Sequence, residues 1–275
     1  MAGFPRRARR LWTYVHAERR TLRQGLVALV LSTLAGFVAG LTLAHLTGTL
    51  ADLPGLLVLI PAAVGMKGTI FGAIGARLGT ASAAGVLEPG LERGGVVSRN
   101  VEIGFLTTLS SSLWLAVLAR LAAAAFGEPA MPVWRFALVA IVGGTLGSVL
   151  IAAMTVALSG VSARRGWDLD AVSTPMVTAL GDMTTIPSLF LATLLLRSDA
   201  VAVPAAVAAI AIAIAATVRS YLARDPAVRR VVVEMTGTIL LTPILDVVAG
   251  SLLLAREPQL VAVPVLLALI PPFVS

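Results

Sequence analysis

QGLVALVLSTLAGFVAGLTLAHL, residues 24–46, contains no Asp, Glu, Lys or Arg. At 1.5 Å per residue this run is about 34 Å long as a helix, enough to cross a hydrocarbon core of roughly 30 Å. Apolar blocks of similar length recur at 101–126, 136–160, 175–196, 200–218 and 231–254. They do not alternate apolar with polar residues, as membrane-spanning strands of about 10 residues would. Hydrophobic residues make up 58% of the chain and charged residues 13%, against about 45–50% and about 25% in soluble domains. The mean hydropathy is +0.95. These features exclude a water-soluble globule and predict an all-α, polytopic membrane helix bundle embedded in the lipid bilayer.

The charged residues fall mainly between the blocks. With the N-terminus on the cytoplasmic side, the inside segments hold Arg6, Arg7, Arg9, Arg10, Arg19, Arg20 and Arg23, then Arg77, Arg93 and Arg99, then Arg164 and Arg165, and finally Arg219, Arg224, Arg229 and Arg230. The outside gaps hold Arg135, Arg197 and Arg256, while Lys67 and Arg120 lie within apolar blocks. This is the asymmetry of the positive-inside rule, and it predicts a multi-pass protein of the plasma membrane. Placement of this kind explains the net charge of +7 without invoking nucleic acid. No cysteine is present, so thiolate metal sites and disulfides are excluded. The expected spans are about 24–46, 54–76, 101–126, 133–160, 171–196, 200–219 and 231–254. Ala2–Arg23 is either an orienting charge cluster or an amphipathic surface helix with Leu11, Trp12, Tyr14 and Val15 toward lipid.

Shifting the chain by 210 positions places Val38-Ala39-Gly40 on Val248-Ala249-Gly250, Pro54 on Pro264, and Leu59-Ile60-Pro61 on Leu269-Ile270-Pro271 without a gap. The expected organisation is therefore a basic N-terminal segment (1–23), a five-helix unit (24–197), a connector helix and loop (198–230), and the start of a second, incomplete repeat (231–275). Five spans plus a connector return the chain to its original side, so the two units would run parallel about an axis along the membrane normal. A homodimer or a partner subunit is then expected to supply the remaining half.

Two segments carry the chemistry. The first, STPMVTALGDMTTIP at 173–187, puts Asp182 inside a span. An ionised acid there is unfavourable by about 2.5–3.5 kcal/mol or more unless a cation or an aqueous cavity meets it. Pro187 leaves the Met183 carbonyl without its usual donor, and Pro175 and Gly181 loosen the helix further. Freed carbonyls beside a carboxylate are hard oxygen ligands of the type Mg2+ prefers. Thr178 and Thr185 fall near the same face as Asp182. The second segment, PAAVGMKGTIFGAIGARLGTAS at 61–82, interrupts an apolar helix with Gly65, Gly68, Gly72, Gly75 and the only lysine. The glycines permit close helix packing or a local break, and Lys67 is a fixed positive charge, a pairing partner for an acid, or a snorkelling side chain. Asp246 also lies within a span, just after Pro243, although its repeat counterpart is Gly36. Glu102 and Glu234 sit near helix starts, where acids are favourable without any special role. His16 and His45 lack spaced metal-ligand partners.

Taken together, Pro-x-x-x-Gly-x-Lys-Gly with its Ala-Arg-Leu-Gly-Thr-Ala continuation, and Thr-Pro-x-x-x-x-Leu-Gly-Asp-x-x-Thr, resemble the MgtE-type magnesium transporter family, particularly its solute-carrier branch with a fused double unit. The resemblance covers about 24–197, and Thr69 stands where an asparagine commonly follows the Lys-Gly pair. It implies a five-helix domain paired around a central Mg2+ path, with Asp182 contacting the hydrated ion and the Thr178 carbonyl one turn earlier. The soluble sensor domains found in many bacterial relatives are not expected here, since 23 residues precede the first span. The candidate metal contacts are Asp182, Thr178, Thr185 and Thr69; the candidate pathway positions are Lys67, Gly68, Gly181 and Asp246. Mg2+ is the expected passenger, with Co2+, Mn2+ and Ni2+ as further candidates. The alternatives are a secondary transporter of a small solute coupled to H+ or Na+, with Asp182 exchanging protons, and an inactive truncated remnant. An enzyme is not expected, since Gly-x-Ser-x-Gly and His-Glu-x-x-His motifs are absent.

Overall fold

The computed structural model describes residues 19–87, 90–92, 94–165, 169–223, 225–256 and 263. The surface-helix reading of the N-terminal segment falls outside them up to residue 18, as does the expected second helix of the second repeat. Among the described residues, seven helices are long and apolar enough to cross a membrane. They are α1 (Arg19–His45), α2 (Leu56–Ala83), α3 (Val96–Ala125), α4 (Val133–Arg165), α5 (Leu169–Thr193), α6 (Asp199–Tyr221) and α7 (Pro226–Leu254). A short helix, Thr47–Asp52, joins α1 to α2, and a 3-10 turn, Leu194–Arg197, extends α5. The protein is a polytopic helical bundle.

Local sequence explains the helix ends. Asp225 caps α7, its carboxylate accepting from the Ala227 N–H at 2.9 Å, with Pro226 in the first turn where a missing donor is harmless. Gly85 and Gly127 adopt φ of +71° just past α2 and α3. There the Val86 N–H donates to the Ala81 carbonyl and the Glu128 N–H to the Ala123 carbonyl, closing both helices with left-handed glycine caps.

Two expectations from the sequence are corrected. The second span, expected to end near 76, continues as helix to Ala83, so Arg77 lies in α2 and not in the gap after it. Its Nε donates to Asn100 Oδ1 at 3.0 Å. Likewise α3 begins at Val96, which places Arg99 in its first turn. Hydropathy marks the part of a helix that lies in hydrocarbon, whereas these helices run on into the polar interface, where their backbone bonds remain satisfied within the helix. The glycines of 65–75 do not break α2 either.

α2 is the most enclosed helix: the turns from Leu56 to Val64 are buried on every side. Its largest interface is with α5, followed by α7, and it also touches α3 and α4. α5 in turn packs on α4 and α1, and α3 packs on α4. The outer helices expose large apolar side chains: Leu26 and Leu29 on α1, Val207 and Ile212 on α6, and Leu241 and Leu245 on α7. Leu245 is 74% exposed, a surface that belongs in lipid and not in water. Polar contacts fasten the helices laterally: Thr217 Oγ1 to Ser110 Oγ at 3.0 Å, Trp114 Nε1 to the Leu240 carbonyl at 3.2 Å, and ion pairs Arg219–Glu102, Arg99–Asp225 and Arg135–Asp199 near helix ends.

Candidate functional site

The two sequence segments become neighbours where α5 passes α2 at Gly181. A Cβ built on Gly181 would lie 3.9 Å from the Lys67 Cβ, so α5 runs alongside α2 with only van der Waals space between them. α5 is held just as closely on its other side. A Cβ on Gly143 of α4 would fall 2.8 Å from Leu189 Cα and 3.0 Å from its backbone nitrogen, so no larger residue fits at that crossing without displacement.

Asp182 follows Gly181 and is only 1% exposed, turned into the bundle and away from lipid. It lies roughly 16–20 Å from either end of α5 at 1.5 Å per residue, near the middle of that helix. Thr185, three residues on, is fully buried, and its Oγ1 meets no hydrogen-bond partner among the described residues. A buried hydroxyl left without a partner is unfavourable by about 1–3 kcal/mol. Thr184 differs, since it donates to the Leu180 carbonyl at 2.7 Å. Thr178 lies in the same helix one turn before Asp182; its side chain is outside the described residues.

Lys67 is fully buried, and its ammonium is held by three oxygens from two neighbouring helices. It donates to Thr108 Oγ1 of α3 at 3.2 Å, to the Gly144 carbonyl of α4 at 2.5 Å, and to Ser148 Oγ of α4. Thr108 and Ser148 are themselves bonded at 3.0 Å, and the Phe71 ring centroid is 5.6 Å from the ammonium. Sequence reasoning singled out Lys67 but missed Thr108, Gly144 and Ser148. Their signal was the hydroxyl-rich run Thr107-Thr108 to Ser110-Ser111-Ser112 in the third span, and Gly143-Gly144 to Gly147-Ser148 in the fourth.

Not all the candidates meet. Gly65 is two positions from Lys67, about 200° around the helix, and faces α7. A Cβ there would collide with Asp246 Oδ2 and lie 2.9 Å from its Cγ. Asp246 is half-buried and its Oδ2 has no hydrogen-bond partner among the described residues. Thr69 shares this side, donating to the Gly65 carbonyl at 3.0 Å. Gly68 is partly exposed between the two sides. α2 thus separates Lys67, next to the Gly181–Asp182 turn of α5, from Asp246 and Thr69 on the α7 side. Among the described residues, no group of three or more His, Cys, Asp or Glu converges as a dehydrated metal site would require.

A comparison with family models matches residues 60–192 to MgtE, described as a divalent cation transporter. The match begins one residue before Pro61 and ends in the last turn of α5, so it takes in both segments and the helix pair that carries them. This region is an MgtE-type divalent cation transporter domain. The chain matches none of the curated proteins compared with it and none of the solved structures. Within the MgtE-type domain the acid of the Leu-Gly-Asp motif is Asp182 and the lysine of the Lys-Gly pair is Lys67, the two residues whose turns abut at Gly181. The domain moves divalent cations across a membrane, which makes a metal ion and the bilayer its partners and identifies a transporter family rather than an enzymatic one.

Proposed function

We propose that the protein conducts Mg2+, and secondarily Co2+, Mn2+ or Ni2+, along a path lined by α2 and α5, with Asp182 as the principal contact for the hydrated ion. The observation that carries this reading is a carboxylate turned into the bundle within a spanning helix, one turn from the Thr185 hydroxyl, which has no partner among the described residues. The charge of a hydrated cation between them would meet the carboxylate, and its first-shell waters would donate to the threonine oxygen. The Thr178 carbonyl, one turn earlier, supplies a further acceptor for the same water shell. Mg2+ retains several of its waters, so one acid and a few neutral oxygens suffice where a dehydrated ion would need a full ligand set.

Asp246 adds a second negative charge on the α7 side of α2, and Thr69 and Gly68 lie on the intervening surface. Gly181 lets α5 approach α2 at Lys67 without bulk between them. Because Asp182 is almost inaccessible, this conformation is a closed one, and an ion enters only when α2 and α5 part. The cytoplasmic N-terminus, the plasma membrane location, the division into a five-helix unit (24–197), a connector and a second repeat that starts at 231, and the pairing of two units in a homodimer or with a partner subunit belong to the same proposal. The packing of α7 on α2 supports the last point: as the counterpart of α1 in the repeat, it occupies the side of α2 where a second unit would sit.

Growth of a bacterium lacking its own Mg2+ uptake systems tests the reading. Expression restores growth in low Mg2+, and Asp182→Asn removes the rescue while the protein remains in the membrane fraction. Full rescue by Asp182→Asn would take Asp182 out of the path. Proton-driven solute flux without cation flux in reconstituted vesicles would replace ion conduction with coupled transport.

A further inference from the structure

We infer that the oxygen cradle around Lys67 is a monovalent-cation site that the chain fills with its own ammonium group. An ammonium has three donors and no acceptor, and it finds three oxygens here: the Thr108 and Ser148 hydroxyls and the Gly144 carbonyl. All three are neutral, and the Phe71 ring beside them turns its π face to the positive charge. Two hydroxyls and a main-chain carbonyl from two helices, facing inward at mid-membrane, are hard oxygen donors of the kind that hold Na+ or K+ between helices of transporters. A Cβ on Gly144 would sit 2.9 Å from Ser112 Oγ and 3.9 Å from the Lys67 nitrogen, so the absence of a side chain at Gly144 leaves room for the cation.

The site is built for one positive charge, and a tether of four methylenes keeps it occupied. A bound alkali ion would leave and return with its concentration, whereas Lys67 cannot leave. The junction of α2, α3 and α4 therefore holds its charge whatever the Na+ and K+ levels on either side. This does not rest on the identity of the transported ion, because it is argued from the hydrogen bonds of Lys67 to α3 and α4 alone.

Lys67→Ala empties the cradle and leaves its oxygens in place; Lys67→Met keeps the side-chain volume without the charge. Both are purified in alkali chloride with the wild type and exchanged into choline chloride, NaCl or KCl at equal ionic strength for thermal unfolding. Wild-type Tm is expected to be the same in all three salts. Lys67→Ala unfolds earlier in choline and recovers about 3–6 °C in NaCl or KCl at ten times the Kd, while Lys67→Met does not recover. An equal Tm of Lys67→Ala in the three salts would overturn the inference. So would an alkali response of the same size in the wild type or in Lys67→Met, or failure of Lys67→Ala to fold in alkali salt when Lys67→Met folds. The readout is thermal, so it decides this question even if the chain proves not to carry Mg2+.

Discussion

A single hydroxyl separates the demands of stability from those of transport. Thr185 Oγ1 is buried without a partner among the described residues, so replacing it by the isosteric valine removes an unmet polar group. Thr185→Val should raise stability by about 1 kcal/mol, a gain of roughly 2–4 °C in Tm, while slowing Mg2+ uptake. A variant that is less stable, with uptake unchanged, would assign Thr185 a packing role only. Asp182→Asn keeps the shape and loses the charge, and uptake should drop by about tenfold or more, since that factor corresponds to only 1.4 kcal/mol. Asp182 and Lys67 were legible in the sequence because a charge inside an apolar block stands out against its neighbours. Thr108 and Ser148 were not, because a hydroxyl in a membrane helix normally bonds to its own backbone, as Thr155 does to the Ile151 carbonyl. Only the tertiary arrangement shows which ones turn outward.

At the scale of helices, glycine positions decide where α5 is placed. Gly143→Ala forces a methyl group against the Leu189 backbone and should lower stability by about 1–3 kcal/mol. Gly160→Ala, in the same helix with nothing within 4 Å of the added carbon, should be neutral or stabilising by up to about 1 kcal/mol. Thermal unfolding of the two variants side by side checks the contrast, and equal effects would mean that the α4–α5 crossing is looser than described. Helix existence and order followed directly from the apolar blocks. Helix ends did not, because Arg77 and Arg99 continue their helices once each side chain finds a partner, Asn100 and Asp225 respectively. Neither could the glycines be sorted in advance: Gly65 and Gly250 admit α7, whereas Gly72 meets nothing within 4 Å.

For the whole molecule, the lack of native cysteine makes the proposed orientation directly measurable. A membrane-impermeant maleimide added to intact cells should label Glu128→Cys, in the α3–α4 connection, and leave Ala223→Cys, in the α6–α7 connection, unlabelled; the reverse pattern would invert the topology. The charge asymmetry carried that expectation, whereas the docking of α7 on α2 was not readable, since the repeat indicates which helices correspond and not which surfaces they share. The lysine cradle also bears on biogenesis. Lys67 leaves the ribosome 41 residues before Thr108 and 81 before Ser148, so its charge meets the translocon before any of its acceptors has emerged. A central lysine opposes insertion by about 2.5–3.5 kcal/mol. The α2 segment therefore faces an insertion penalty that the finished bundle no longer feels, and the α3–α4 hairpin acts as its intramolecular chaperone.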